Sequence, residues 1–238
     1  MATYVLLHGA GSDSWYWHLV GPALRARGHQ VIAPDLPCDD DGAGLSEYTD
    51  TVVDAVGDHA DLVLVAQSLA GFTAPLVCDR VPVRLLILVA AMIPRPGEAP
   101  GEWWANTGHE QAKRDQDEHD GRPAEGDFDP VVTFLHDVPP DIVAEAAKHV
   151  RIQSGTPFER PWPRESWPEV PTRVLVCRGD RFFPVGFMRR VARQRLGITP
   201  DEMGSGHLPA LSHPVELVDR LEAYRAGLST AGGKSPVG

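Results

Sequence analysis

Five short runs of the chain are apolar with no polar alternation: TYVLLHG (3–9), HQVIAP (29–34), DLVLVAQ (61–67), RLLILVA (84–90) and TRVLVC (172–177). Each ends in a glycine, a proline or a polar cluster. Continuous apolar runs of this length fit strands covered on both faces, as in a parallel sheet. A shorter sixth strand is predicted near Thr199–Met203. Between these runs the apolar spacing lengthens to that of helices. It predicts helices over 15–27 with Gly28 as C-cap, 47–59, 69–79, 185–196 before Gly197, and 214–228. In the last of these Leu217, Leu221, Tyr224 and Leu228 share one face, and Ser212 stands at the N-cap position. The alternation predicts an α/β fold: a mostly parallel central sheet of about six strands, flanked by helices and joined by right-handed crossovers.

Residues 94–170 break this rhythm. The stretch is dense in proline, glycine, tryptophan and charge, as in GEWWANTGHEQAKRDQDEHDGRP (101–123) and RPWPRESWPEVP (160–171). Helical patches are predicted near 106–118 and 139–150, and no strand. A segment this long inside a compact domain is usually functional or mobile. The expected organisation is a core of residues 1–93 and 171–228, a lid (cap) insertion over 94–170, and a disordered tail over 229–238.

A chain of 238 residues suits one domain with such an insertion. Its 42% hydrophobic content supplies a sizeable core and excludes a disordered protein. The net charge of −11 disfavours nucleic acid and anionic membrane surfaces as partners, because both need basic patches. No stretch approaches the ~18 apolar residues of a membrane span, and no basic leader precedes the first strand. A cytoplasmic location is expected. Cys38, Cys78 and Cys177 are widely spaced with no CxxC pair, which fits free thiols in a reducing compartment. No GxGxxG or P-loop occurs, and the lone His136-Asp137 pair lacks a wider ligand pattern, so neither a metal nor an organic cofactor is expected. Both a monomer and a homodimer remain open.

In an open parallel sheet, ligands bind beyond the carboxyl ends of the strands. The first strand candidate ends in His8-Gly9-Ala10-Gly11 and the third at Ser68, within LVAQSLAGFTAP (64–75). The fifth ends in Arg178-Gly179-Asp180, and Gly204-Ser205-Gly206-His207 follows the sixth. A serine, a carboxylate and a histidine thus fall at strand ends, in the chain order of α/β-hydrolase triads. The serine motif departs from GxSxG: Ala66 and Ala70 take the glycine positions, and Gly71 comes one step late. Small residues are expected at 66 and 70, where a tight strand-to-helix turn leaves little room.

LLHGAGSDSWYWHLVGPALRARGHQVIAPDLP (6–37), VLVCRGDRFFP (174–184) and GHLPALSHPVELVDRL (206–221) resemble the opening, the acid loop and the histidine loop of the α/β-hydrolase superfamily. The resemblance is to its compact, lid-bearing branch of plant-type methylesterases, hydroxynitrile lyases and bacterial esterases. It spans nearly all of residues 3–228 and is weakest in the lid. It implies that Ser68 is the nucleophile, His207 its general base and Asp180 the acid that orients the imidazole. It further implies that the N–H groups of Leu69 and Ala10 form an oxyanion hole.

The implied activity is hydrolysis of a small or medium ester, thioester or lactone through an acyl-enzyme, with a small-molecule acyl substrate. A lyase or cyclase of a biosynthetic pathway, or a non-catalytic ligand-binding relative, are the alternatives. Hydroxynitrile lyases of this fold typically carry threonine where this chain has Gly9, and lysine where it has Leu208. Epoxide hydrolases and haloalkane dehalogenases would need Asp at position 68. His8 is expected to order the oxyanion loop, and His213 to be structural. Trp15, Trp17, Trp103 and Trp104 are candidates to line an apolar acyl pocket, or else simply to pack.

Overall fold

The computed structural model describes residues 1–123 and 128–231. Six strands form one parallel sheet: β1 (Thr3–Leu7), β2 (Gln30–Ile32), β3 (Leu62–Gln67), β4 (Val83–Val89), β5 (Thr172–Cys177) and β6 (Asp201–Met203), in the spatial order β2-β1-β3-β4-β5-β6. Five lie within the predicted segments, and β4 begins one residue earlier than predicted, at Val83. β1 and β3 are buried at every position, as a sheet covered on both faces requires. Successive residues feed two separate cores. Val5, Leu7, Leu64 and Ala66 face one, and Tyr4, Leu6, Val63 and Val65 face the other.

The first core is closed by α2 (Leu45–Val56), α3 (Ala70–Val77) and α8 (Val185–Leu196), the second by α1 (Val20–Ala26) and α10 (Pro214–Ala231). Strand order reverses between β1 and β3, where the chain leaves toward opposite edges of the sheet. Such a switch point opens a crevice beyond the carboxyl ends of its two strands. The segments after β1 and β3 are the glycine loop 8–11 and Ser68.

Helix boundaries differ from expectation, and α3 is shorter than the 69–79 expected; in four other places the local reason is plain. The helix expected over 15–27 is split into a 3-10 turn, Ser14–Trp17, and α1. Asp13 caps the turn through the Trp15 N–H, and Pro22 belongs to a first helical turn, where its missing N–H costs nothing. α2 begins at Leu45, with the Glu47 carboxylate accepting from Gly44 N–H at 2.8 Å. It stops at Val56 because Gly57 turns left-handed at φ +51°. Ser212 does not cap the last helix: it ends a separate short helix, α9 (Pro209–Ser212), and the His213 carbonyl accepts from Leu217 N–H at 3.0 Å. Finally, α10 continues through Ala231, three residues into the expected tail; 232–238 lie outside the described residues.

Between β4 and β5 run α4 (Pro100–Thr107), α5 (His109–His119), α6 (Pro130–Phe134) and α7 (Pro140–Ala146). No strand occurs there among the described residues. Trp103 and Trp162 from this connection are fully buried in the first core. Their indole N–H groups donate to the carbonyls of Ile93 and Phe72, each at 3.0 Å. A buried ion pair between Arg195 on α8 and Glu98 (Nη2 to Oε1, 2.8 Å) fastens the start of the connection. No described helix is long and apolar enough to cross a membrane.

Candidate active site

β3 ends at Gln67, and Ser68 takes φ +52°, a left-handed conformation costly for any residue with a Cβ. The chain then enters α3. The Ser68 carbonyl accepts from Gly71 N–H at 3.1 Å and from Met92 N–H at 2.9 Å, which locks the turn against the end of β4. Ala66 and Ala70 are both buried, but the sharpest steric demand falls elsewhere. A Cβ on Gly71 would lie 1.9 Å from the Met92 carbonyl oxygen. The glycine that comes one step late in the motif is therefore the one the turn cannot replace.

Ser68 meets two residues from distant loops. His207 Nε2 lies 3.2 Å from Ser68 Oγ, and His207 Nδ1 lies 2.8 Å from Asp180 Oδ2. The other oxygen of Asp180 accepts from the N–H groups of Phe182 and Phe183, both at 2.8 Å. That carboxylate is a fixed acceptor, so Nδ1 carries the proton and Nε2 turns a lone pair toward the serine hydroxyl. All three side chains are buried.

The glycine loop after β1 adjoins this group because Leu7 pairs with Ala66. Gly9 is so close that a Cβ on it would lie 2.4 Å from Gln67 Oε1 and 2.9 Å from Ser68 Cβ. His8 organises the loop from behind. Its Nδ1–H donates to Gly9 O at 2.8 Å, and its Nε2 accepts from Leu36 N–H at 3.0 Å. This pattern needs a neutral imidazole, and burial lowers the pKa of His8 in the same direction. Gly11, at φ +62°, is held by Gln153 Oε1 on its N–H and by Arg151 N–H on its carbonyl, each at 3.0 Å. Leu69 is the N-cap of the next helix, and Ala10 follows Gly9 in the glycine loop.

A profile described as the alpha/beta hydrolase family matches residues 4–220. The chain belongs to the alpha/beta hydrolase family. Pyrethroid hydrolase of Sphingobium wenxiniae is 26% identical to it, over 98% of this chain and 94% of that protein. Norfluorocurarine synthase 1 of a Strychnos species is 24% identical, over 92% and 93% of the two chains. Among solved structures, polyneuridine aldehyde esterase superposes with a TM-score of 0.75 at 18% identity, over 94% and 98%.

In this alpha/beta hydrolase the four candidate tryptophans have different surroundings. Trp17 is buried in the second core. Trp15 is stacked between the rings of His18 and His149, at 4.1 and 4.5 Å. Trp103 is core, and Trp104 packs on Phe182 and Phe183 at 5.5 and 6.0 Å. The rings around His207 are Phe134, Phe182 and Phe183, with centroids at 5.2, 5.3 and 5.0 Å. Two of these stand within RGDRFFP, directly after the acid, and Phe134 comes from α6. His109 adds a bond from the connection to the acid loop, with Nε2 2.7 Å from Phe182 O.

The sequence does not mark Gln67 and Gln153 at all, and it offers Asp137 only within the lone His136-Asp137 pair. Burial pushes the Cys78 thiol up to about 12 and Cys177 higher still, which suppresses thiolate chemistry at both. Among the described residues no group of three or more His, Cys, Asp or Glu side chains is arranged to hold a metal ion.

Proposed function

We propose that this alpha/beta hydrolase cleaves a carboxylic ester of small or medium size through an acyl-enzyme on Ser68. The observation that carries the proposal is the contact line Ser68 Oγ–His207 Nε2 and His207 Nδ1–Asp180, with the serine in a left-handed turn. His207 takes the hydroxyl proton as Ser68 attacks the carbonyl carbon, and returns it to the departing alcohol. Asp180 keeps the imidazole in the tautomer that this requires and stabilises the imidazolium. The N–H groups of Leu69 and Ala10 receive the oxyanion. Water, deprotonated by His207, then releases the acid. Hydrolases and esterases among the similar proteins support the reading. The connection over 94–170 acts as the lid: its α6 lays Phe134 beside His207, and the phenylalanine cluster offers an apolar wall to the substrate.

A relative that carries the name of a synthase supports a second reading, a lyase or cyclase using the same three side chains. Within it, a cyanohydrin lyase is opposed by the crowding at Gly9, which leaves no room for the threonine such enzymes carry.

Wild type and Ser68→Ala are treated with a fluorophosphonate probe while p-nitrophenyl acetate hydrolysis is followed. An adduct on Ser68 by mass spectrometry, with hydrolysis lost in the variant, is expected. A folded wild type that is neither labelled nor active sinks acyl hydrolysis and favours the second reading.

A further inference from the structure

We infer that Asp137, from the connection between β4 and β5, is a positioning residue for His207. The inference rests on the reading of His207 as the general base. The loop that carries this histidine is tied at three successive residues. Gly179 N–H donates to Ser205 O at 2.9 Å, and Gln67 Nε2 donates to His207 O at 3.2 Å. Those two ties come from the same strand ends that carry Asp180 and Ser68. The tie between them comes from outside the sheet: Asp137 Oδ2 accepts from Gly206 N–H at 2.6 Å. It is the shortest of the three and the only one to a carboxylate, and such bonds are roughly twice as strong as neutral ones.

Gly206 carries the imprint of this contact. A Cβ there would lie 2.5 Å from Asp137 Oδ1 and 2.9 Å from His136 Nε2. Its φ is not left-handed, so conformational freedom does not account for the glycine; the approach of Asp137 does. Both of those facing atoms are buried with no hydrogen-bond partner among the described residues, so what reaches Gly206 itself is the Oδ2 bond and packing. His213 Nδ1, at 3.7 Å from Oδ2, is the other charged-capable group facing the carboxylate.

The consequence is mechanical. His207 Nε2 stands 3.2 Å from Ser68 Oγ, at the outer limit of what a general base can use. A shift of the Gly206 peptide moves the imidazole directly. The connection is thus part of the catalytic apparatus and not only a cover: its docking through Asp137 sets the base in reach of the nucleophile.

The full-length enzyme is compared as wild type, Asp137→Ala, Asp137→Asn and Gly206→Ala, by kcat and KM on p-nitrophenyl acetate and by the rate of fluorophosphonate labelling at Ser68. Asp137→Ala is expected to lower kcat and labelling together by roughly 10- to 100-fold, the scale of a small misplacement. KM stays within about twofold, because ground-state binding is untouched. Asp137→Asn keeps an oxygen acceptor and restores most of the loss. Gly206→Ala reproduces the defect, and combining it with Asp137→Ala adds little, since both break one contact. A folded Asp137→Ala enzyme with wild-type kcat overturns the inference, as does a loss in Asp137→Asn equal to that in Asp137→Ala. A wild type that is neither active nor labelled refutes the catalytic reading instead. Amide exchange at Gly206 then decides: a rate no faster in Asp137→Ala than in wild type overturns the anchor itself.

Discussion

Gly71 lies against the carbonyl of Met92 so closely that a methyl group on it would stand 1.9 Å from that oxygen. Both atoms belong to backbone that is itself bonded to Ser68, so neither can retreat without moving the turn. Gly71→Ala is expected to destabilise by the upper part of the range for overpacking, lowering Tm by roughly 6–12 °C. Labelling of Ser68 should fall in the same variant. Normal melting and labelling would show that the turn has slack and that this contact does not govern it. Ala70→Leu tests the neighbouring buried position, where a clash between strand and helix is expected to lower Tm and labelling as well.

Asp180 holds the imidazole tautomer through one oxygen while the other is consumed by two backbone N–H groups. In Asp180→Asn an amide can present its NH2 to Nδ1, which drives the proton to Nε2 and removes the lone pair from Ser68. Activity on p-nitrophenyl acetate should drop by about 10⁴, with the circular dichroism spectrum and melting curve retained. Turnover unchanged from wild type would mean that the orienting acid lies on another strand.

His8 predicts an acid sensitivity with a definite sign. Its buried, neutral imidazole holds a lowered pKa in the folded protein, whereas the unfolded chain titrates near the ordinary 6.5. The unfolded state therefore binds the proton first. Stability is complete above that value and is lost as the pH falls from it toward the folded pKa. Burial lowers His109 and His136 in the same direction, so the three losses add. Urea midpoints measured from pH 7.5 to 5 should decline below about 6.5. The decline should be shallower in His8→Gln, which cannot take up the proton. A midpoint that rises on acidification would contradict the assignment.

Gln153 grips the Gly11 N–H one residue from the proposed donor Ala10. Its own side-chain NH2 is placed by the Tyr48 hydroxyl at 3.1 Å and the Ser154 carbonyl at 3.0 Å, so the acceptor end has a fixed aim. Deleting an oxyanion donor costs about 10²–10³ in rate. Loosening the loop that aims one should cost less, roughly tenfold in kcat for Gln153→Ala. Stopped-time assays with p-nitrophenyl acetate, paired with Gln153→Glu, which keeps an oxygen toward Gly11, provide the check. Equal activity in wild type and Gln153→Ala would leave the loop self-supporting.

The apolar runs, their glycine and proline ends, and the helical spacing between them are local properties. Chain chemistry over a few residues therefore determined all six strands, the α/β class, and the three loops that carry Ser68, Asp180 and His207. Helix edges escaped where a side chain or a left-handed glycine overrode spacing, as at Asp13, Gly57 and His213. What only the tertiary structure decided is which distant groups meet. The two ends of β1 and β3 come together because strand order reverses there. The aromatic neighbours of His207 are phenylalanines from the acid loop and α6, because the tryptophans face the cores or stack on histidines. Asp137 and Gln153 carry no motif at all. Their carboxylate and amide acquire meaning only when a long connection folds back over the carboxyl ends of the sheet, where the unpaired N–H groups of Gly206 and Gly11 wait for acceptors.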